Sequence, residues 1–159
     1  MIRRAKTEDI EEILSLLKIV NKVHYDLYPT IFKLETKYGI DELKNIICDD
    51  NKKIFVYVED NKVLGYLFTV HKEIKNDRLL CDTKELYIDD LCVDLNSQNK
   101  GIGHKLFEYV KEYAKENNYN KITLNVWNLN VSAFSFYENI GFKKIKTFME
   151  YDLEDRNEN

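Results

Sequence analysis

An α/β fold around a mixed β-sheet is the architecture written into this chain of 159 residues, and three patterns point to it. Two strand-like runs in the first half meet through Glu59-Asp60-Asn61, a turn of residues that tolerate tight backbone geometry, so those strands pair antiparallel. The second half runs strand, helix, strand, which is the order of a parallel crossover. Between them lie helices with apolar residues at helical spacing, each with one face to bury against a sheet.

Ile2 to Ala5 reads as an edge strand, after which Thr7 caps a helix carrying Ile10, Ile13, Leu14, Leu16, Leu17 and Val20 on one side. From Asn21 to Tyr38 the pattern turns irregular and aromatic around Pro29, the only proline, so a helix boundary or loop falls there. Ile40 to Ile47 is a second helix, and Lys53 to Glu59 with Lys62 to His71 form the hairpin. Glu73 to Thr83 is a charged, solvated loop, and Lys84 to Val93 is a longer strand. Gly101 to Asn117 is amphipathic, with Ile102, Leu106, Val110, Tyr113 and Ala114 opposite Glu108, Lys111, Glu112 and Lys115. Ile122 to Val126 is a strand, Val131 to Asn139 a short helix begun by Asn130, and Phe142 to Leu153 a final strand after Gly141. Residues 1–153 are expected to form a single domain, and 154–159 a frayed polar tail.

With 44% hydrophobic residues the chain can bury a core. Its 24 basic and 28 acidic residues are interspersed and leave a net charge of -4, which argues against nucleic acid as a partner. No apolar run approaches the ~20 residues that cross a bilayer, so a cytoplasmic protein with no membrane partner is expected. Cys48, Cys81 and Cys92 show no paired short spacing, which suits reduced packing residues. Three separated histidines and three separated cysteines assemble no metal site, so no metal is expected.

The chemistry concentrates between Tyr87 and His104. Gln98, Gly101 and Gly103 let the chain turn tightly without obstructing Cβ atoms, so successive amides converge below a helix N-terminus as an anion cradle. A dinucleotide fingerprint would need a third glycine where Leu106 stands. A P-loop would need Lys then Ser or Thr after Gly103, where the chain has His104 and Lys105.

One helix and one strand downstream lies Asn130-x-x-Ala133-x-x-Phe136-Tyr137-x-x-x-Gly141-Phe142. Together with Gln98-x-x-Gly101-x-Gly103 it resembles the GCN5-related N-acetyltransferase (GNAT) superfamily, and the element order is similar from Ile2 to Leu153. The resemblance implies that family's acyl-CoA N-acyltransferase fold: a mixed, mostly antiparallel sheet of six to seven strands with helices on both faces. It implies acetyl-CoA as cosubstrate, its pyrophosphate on the backbone amides of Asn99, Lys100, Gly101, Ile102, Gly103 and His104, with Gln98 where the family has Gln or Arg. Pantetheine would lie along the edge of Leu91, Cys92 and Val93 as the fourth and fifth strands splay, with amides near Leu91 polarising the thioester carbonyl. Asn130 would stand near the pantetheine arm, and it also suits a helix N-cap.

Of eleven tyrosines, the motif singles out Tyr137 as the acid. A phenol of reference pKa about 10 can protonate a thiolate whose thiol is near ~8.5 only if held close to the sulfur. An acceptor ammonium must also lose a proton. Successive strand residues point to opposite faces, so Asp89 or Asp90 faces the cleft; the local bulge that the resemblance implies here makes parity unsafe, and Asp90 is only slightly favoured as base over Asp89, with an ordered water as the alternative. In ribosomal-protein alanine acetyltransferases, a similar group, a glutamate stands where this chain has Asn125, which weakens transfer of their base or protein substrate. Cys92 reads as packing rather than nucleophile, since no activating histidine neighbours it in sequence. Phe136, Phe142 and Trp127 read as core, Trp127 alternatively as a wall of the acceptor tunnel. His24, Tyr25, Tyr28 and Phe32 lie in the segment, Asn21 to Tyr38, that the resemblance implies is the acceptor lid between the first two helices, and they form either a helix packing face or an amine-binding aromatic cluster there.

The expected activity is acetyl transfer from acetyl-CoA to a primary amine of a small molecule or peptide by direct attack in a ternary complex. The alternatives are a non-catalytic acetyl-CoA sensor and an interaction module, the latter because the final strand can pair across a homodimer.

Overall fold

The computed structural model describes residues 1–154. The elements in order are β1 (Ile2–Arg4), α1 (Ile10–Leu27), α2 (Ile40–Cys48), β2 (Lys52–Glu59), β3 (Lys62–Ile74), β4 (Thr83–Val93), α3 (Ile102–Glu116), β5 (Lys121–Leu124) and α4 (Val131–Asn139). The five strands form one sheet in sequence order. Strands β1 to β4 are antiparallel neighbours, whereas β5 is parallel to β4 because α3 carries the chain back across the sheet.

Alternation along the strands builds two cores. Ile54, Val56, Tyr66, Phe68 and Cys92 face α1 and α2, where Ile13, Leu16, Leu17, Leu43 and Ile46 meet them. Phe55, Leu67, Leu86 and Ile88 face α3 and its Leu106, Phe107 and Val110. Gly65 in β3 allows α3 to dock closely: a Cβ there would stand 3.1 Å from both Ile102 Cγ2 and the Cys92 carbonyl oxygen. The β2–β3 turn is as expected, with Asp60 and Asn61 both at positive φ, 49° and 60°.

Three expectations are corrected. The first turn is organised by Asp9 and not by Thr7: the buried Asp9 carboxylate accepts from the Lys6 amide at 2.7 Å and from the Arg3 guanidinium at 2.7 and 2.9 Å. Burial would raise the Asp9 pKa, but the Arg3 hydrogen bond outweighs it and holds the carboxyl below its ordinary value. The sheet has five strands among the described residues, not six to seven. The difference lies at the C-terminus, where Phe142 to Leu153 forms no strand because it has no strand neighbour to bond. Of the tail expected to fray, residues 155–159 lie outside the described residues. No helix among the described residues is long and apolar enough to cross a membrane.

Candidate functional site

Pairing between β4 and β5 runs from Glu85↔Lys121 to Ile88↔Leu124 and stops there, while β4 continues beside β3 to Val93. The two parallel strands therefore part at Asp89, and the β4 edge over Leu91, Cys92 and Val93 borders the opening.

At the same place β4 bulges. Phe68 pairs with Asp90 and Thr69 with Ile88, so Asp89 is an extra residue. The bulge turns two consecutive carboxylates toward the α1 side of the sheet. Asp89 accepts the Tyr38 hydroxyl at 2.6 Å and pairs with Lys37 Nζ at 3.0 Å. Asp90 Oδ2 accepts the Tyr66 hydroxyl at 3.0 Å, and its Oδ1 accepts the Leu91 amide at 2.9 Å. Burial pushes the Asp90 carboxyl up to about 6; Lys37 and the Tyr66 hydrogen bond oppose the rise, and the Asp89 charge adds to it. Such a group changes protonation close to neutral pH. The Leu91 amide, expected to face a thioester carbonyl, is held by Asp90 in this conformation.

Tyr137, on α4, is half-buried against Phe136 and Phe142, with ring centroids 5.3 and 5.6 Å away. Burial raises its phenol pKa, with further contributions from the charges of Asp90 and Tyr87, so it stays protonated through the neutral range. The structure thus brings Tyr137 and Asp90 into one electrostatic neighbourhood.

Beyond Val93, a turn at Leu95–Ser97 leads through Gln98 to Asn99 and Gly101, both left-handed at φ 63° and 74°. At Gly101 that conformation favours glycine. The first α3 hydrogen bond runs from the Lys105 amide to the Gly101 carbonyl at 3.0 Å. The amides of Ile102, Gly103 and His104 are therefore among the orphan donors at the N-terminus of a 15-residue helix. Gly103 packs on α4: a Cβ there would lie 3.4 Å from Phe136 Cζ and 3.8 Å from Leu91 Cδ2. Cradle, β4 edge and the α4 motif thus meet at one residue. Amides without an intrahelical acceptor and the positive end of α3 suit an anion. The Gln98 side chain donates to the Val93 carbonyl at 3.5 Å, and Lys100 is exposed beside the turn.

Asn130 caps α4, its Oδ1 accepting the Ala133 amide at 3.3 Å. Cys92 is buried, its thiol donating to the Leu16 carbonyl at 3.4 Å, and burial pushes its pKa up to about 12. Its side chain faces the core, so only its backbone belongs to the β4 edge. Asn125 donates to the Tyr87 hydroxyl at 3.2 Å.

Trp127 is 40% exposed and not core. It meets Tyr28 and Phe32 at 5.0 and 5.1 Å, and Phe32 stacks on His24 at 5.1 Å. The Leu129 amide donates to the Tyr28 hydroxyl at 2.9 Å. Phe136 and Phe142 are half-buried. The segment after α1 therefore bridges the opening, tied to the β5–α4 loop through aromatic contact and to the β4 bulge through Lys37 and Tyr38. Burial, with the Lys37 charge, lowers the His24 pKa and keeps that ring neutral at pH 7.

Sequence reasoning missed Lys37, Tyr38, Tyr66 and Tyr87. The bulge that the resemblance implies beside Asp89 is the available signal for the first three, but nothing in a run such as Tyr-Ile-Asp-Asp-Leu names the distant side chains that pack against it.

Residues 15–142 match the protein family described as "Acetyltransferase (GNAT) family". An N-alpha-acetyltransferase of Saccharolobus solfataricus is 26% identical over 153 residues, covering 94% of this chain and 84% of that protein. The chain spans less of other curated relatives, 63% of an uncharacterized N-acetyltransferase of Lactobacillus delbrueckii subsp. lactis and 58% of a probable N-acetyltransferase of Xenopus tropicalis. Among solved structures, a mutant of the BH1408 protein from Bacillus halodurans superposes with a TM-score of 0.93 at 27% identity, over 97% of this chain and 99% of that one. The aminoglycoside N-acetyltransferase AAC(6')-Iy in complex with CoA shares the fold, with a TM-score of 0.71 at 12% identity over 97% and 99% of the two chains.

Proposed function

From the premise that this chain belongs to the GNAT acetyltransferase family, we propose that it transfers acetyl from acetyl-CoA to a primary amine of a small molecule or peptide, by direct attack in a ternary complex. The observation that carries this reading is that the N-terminus of α3, the β4 edge at Leu91 and Phe136 of α4 meet at Gly103, with Tyr137 next to Phe136 on the same helix.

The coenzyme, when bound, supplies an activated acetyl thioester. Ile102, Gly103 and His104 would hold its diphosphate through backbone amides, with the preceding turn from Gln98 through Asn99 and Lys100 to Gly101 shaping the cradle. Leu91, Cys92 and Val93 would offer main-chain groups to its pantetheine arm, and Asn130 holds α4 beside it. Asp90, its carboxyl raised to about 6, is largely ionised at pH 7 and basic enough to take the proton that an acceptor ammonium must lose. A proton on Asp90 weakens its hold on the Leu91 amide, which then becomes a donor for the thioester oxygen. Tyr137 keeps its own proton until the sulfur departs, delivers it there and regains one from the second N–H that the attacking nitrogen loses on becoming an amide, so that of the two protons lost by the ammonium one leaves through Asp90 to solvent and the other replaces the one given to sulfur. The carboxylates and the aromatic ring set at the opening suit a cationic acceptor.

Release of free CoA thiol, assayed against a panel of polyamines, amino acids, aminoglycosides and peptide N-termini, tests this reading. Transfer to at least one amine, lost in Tyr137→Phe, is the expected result. CoA binding with no transfer across the panel would favour an acetyl-CoA sensor.

A further inference from the structure

Lys37 lies between α1 and α2, yet its ammonium reaches β4, 52 residues further along the chain. It pairs with Asp89 Oδ1 at 3.0 Å and donates to the Asp89 main-chain carbonyl at 3.1 Å, while its side chain stays 43% exposed. Tyr38, the next residue, donates to the other carboxylate oxygen at 2.6 Å. Among the described residues this is the ion pair that touches the β4 bulge; Lys22, Lys75, Lys111, Lys115 and Lys144 pair with carboxylates elsewhere.

The chain thus sets a primary ammonium of its own beside the two carboxylates at the opening. Asp90 feels it, since the Lys37 charge is the largest influence opposing the rise of that carboxyl. The carbonyl to which Lys37 donates stands two residues before Leu91, a step of about 7 Å along a strand. The flexible lysine stem spans such a distance.

Resting on the acetyl transfer proposed above, we propose that Lys37 is itself an acetyl acceptor, modified by its own chain, and that the modification unfastens the lid. A tethered amine meets the thioester at a high effective concentration, whereas a free one must first bind. The transfer joins Lys37 Nζ to the acetyl carbonyl carbon and breaks the bond from that carbon to the coenzyme sulfur. Of the two protons the ammonium loses, one passes through Asp90 to solvent and the other replaces the one that Tyr137 gives to the departing thiolate. The product is a neutral amide that no longer pairs with Asp89, leaving the Tyr38 hydroxyl to hold the lid to the bulge. Loss of the Lys37 charge also lets the Asp90 carboxyl rise further. A chain supplied with acetyl-CoA and short of acceptor therefore loosens its own lid and shifts its base toward the protonated form.

The test incubates the intact chain with acetyl-CoA and no amine, and follows intact mass and peptides by mass spectrometry. One acetyl group on Lys37 is expected, entering at a first-order rate that holds over an about tenfold range of protein concentration, as reaction within one chain requires. Tyr137→Phe should slow it by about 10²-fold, and Lys37→Arg, which keeps the charge, should take no acetyl group in the lid. Hydrogen exchange across residues 21–38 should be faster in the acetylated chain than in the unmodified one. Lys37 left unmodified while the amine panel shows transfer overturns the proposal and leaves the activity standing, whereas no transfer to Lys37 or to any amine takes away both. Acetylation that is as fast in Tyr137→Phe, that spreads over exposed lysines without preference for Lys37, or that leaves lid exchange unchanged also overturns it.

Discussion

The Tyr66 hydroxyl, carried by a fully buried residue of β3, donates to Asp90 Oδ2 at 3.0 Å across the β4 bulge. This bond fixes a carboxylate whose surroundings disfavour its charge, at the place where β4 and β5 part. Burial raises the pKa of both partners, so Asp90 titrates near neutrality while Tyr66 remains a donor.

Asp90→Asn should trade activity for stability. The folded pKa, about 6, lies above the ordinary carboxyl value of 3.8. The native state therefore favours the proton more than the unfolded chain does, and the cost of ionisation is absent below the lower value and complete above the higher one. At about pH 8 the variant should be more stable by up to about 3 kcal/mol, an advantage that vanishes toward about pH 4. Urea denaturation at the two pH values checks this. The acid limb of kcat/KM near pH 6 should disappear with the same substitution.

Tyr137→Phe keeps the ring packing against Phe136 and Phe142 and removes the proton donor. Turnover should fall by about 10²-fold while acetyl-CoA affinity changes little. Steady-state kinetics beside calorimetric titration separate the two; unchanged turnover would remove the acid role.

Gly103→Val places methyl groups against Phe136, already 3.4 Å from an ideal Cβ. Overpacking here costs about 1–3 kcal/mol and moves the start of α3 away from α4, so CoA should bind about tenfold or more weaker. Titration calorimetry with CoA reads the change. Wild-type affinity would dissociate the cradle from the coenzyme.

Tyr38→Phe deletes the 2.6 Å hydrogen bond to Asp89 that, with Lys37, fastens the lid to the bulge. Loss of a hydrogen bond to a charged group, about 2 kcal/mol, should speed hydrogen exchange across residues 21–38 and raise the acceptor KM. CoA affinity should stay near wild type, because the cradle lies on α3. Unaltered exchange in the lid would refute the latch.

Cys92→Ala should retain acetyl transfer. The buried Cys92 thiol, its pKa pushed up to about 12, should resist alkylation at about pH 8 while the exposed Cys48 and Cys81 react. Mass spectrometry after iodoacetamide treatment shows which thiols are labelled. Loss of transfer in the alanine variant would point to an acyl-enzyme.

Local patterns carried much of this chain. Helical spacing from Ile10 to Val20 and from Ile102 to Ala114, the Asp60-Asn61 turn and the Asn130 cap depend on neighbours within a few residues, which a sequence displays directly. The cradle belongs to the same class, since Gly101 at φ 74° and the first turn of α3 are properties of one short segment. Where the expectations went astray, a distant partner decided the outcome. Trp127 looks like core until the lid rings of Tyr28 and Phe32 arrive beside it, from about a hundred positions away. Phe142 to Leu153 alternates like a strand yet forms none within this chain, because a strand exists only where another edge accepts its hydrogen bonds.

By itself, then, the order of residues determined the helices, the hairpin and the glycine turn that opens α3, all products of short-range backbone preference and periodic burial. Only the tertiary structure decided which carboxylate is recessed, because a single extra residue at Asp89 turns both carboxylates to one side and sets Tyr66, 24 residues upstream of Asp90, against it. Side-chain chemistry is local, but the dielectric around a charge is set by whatever the fold packs over it.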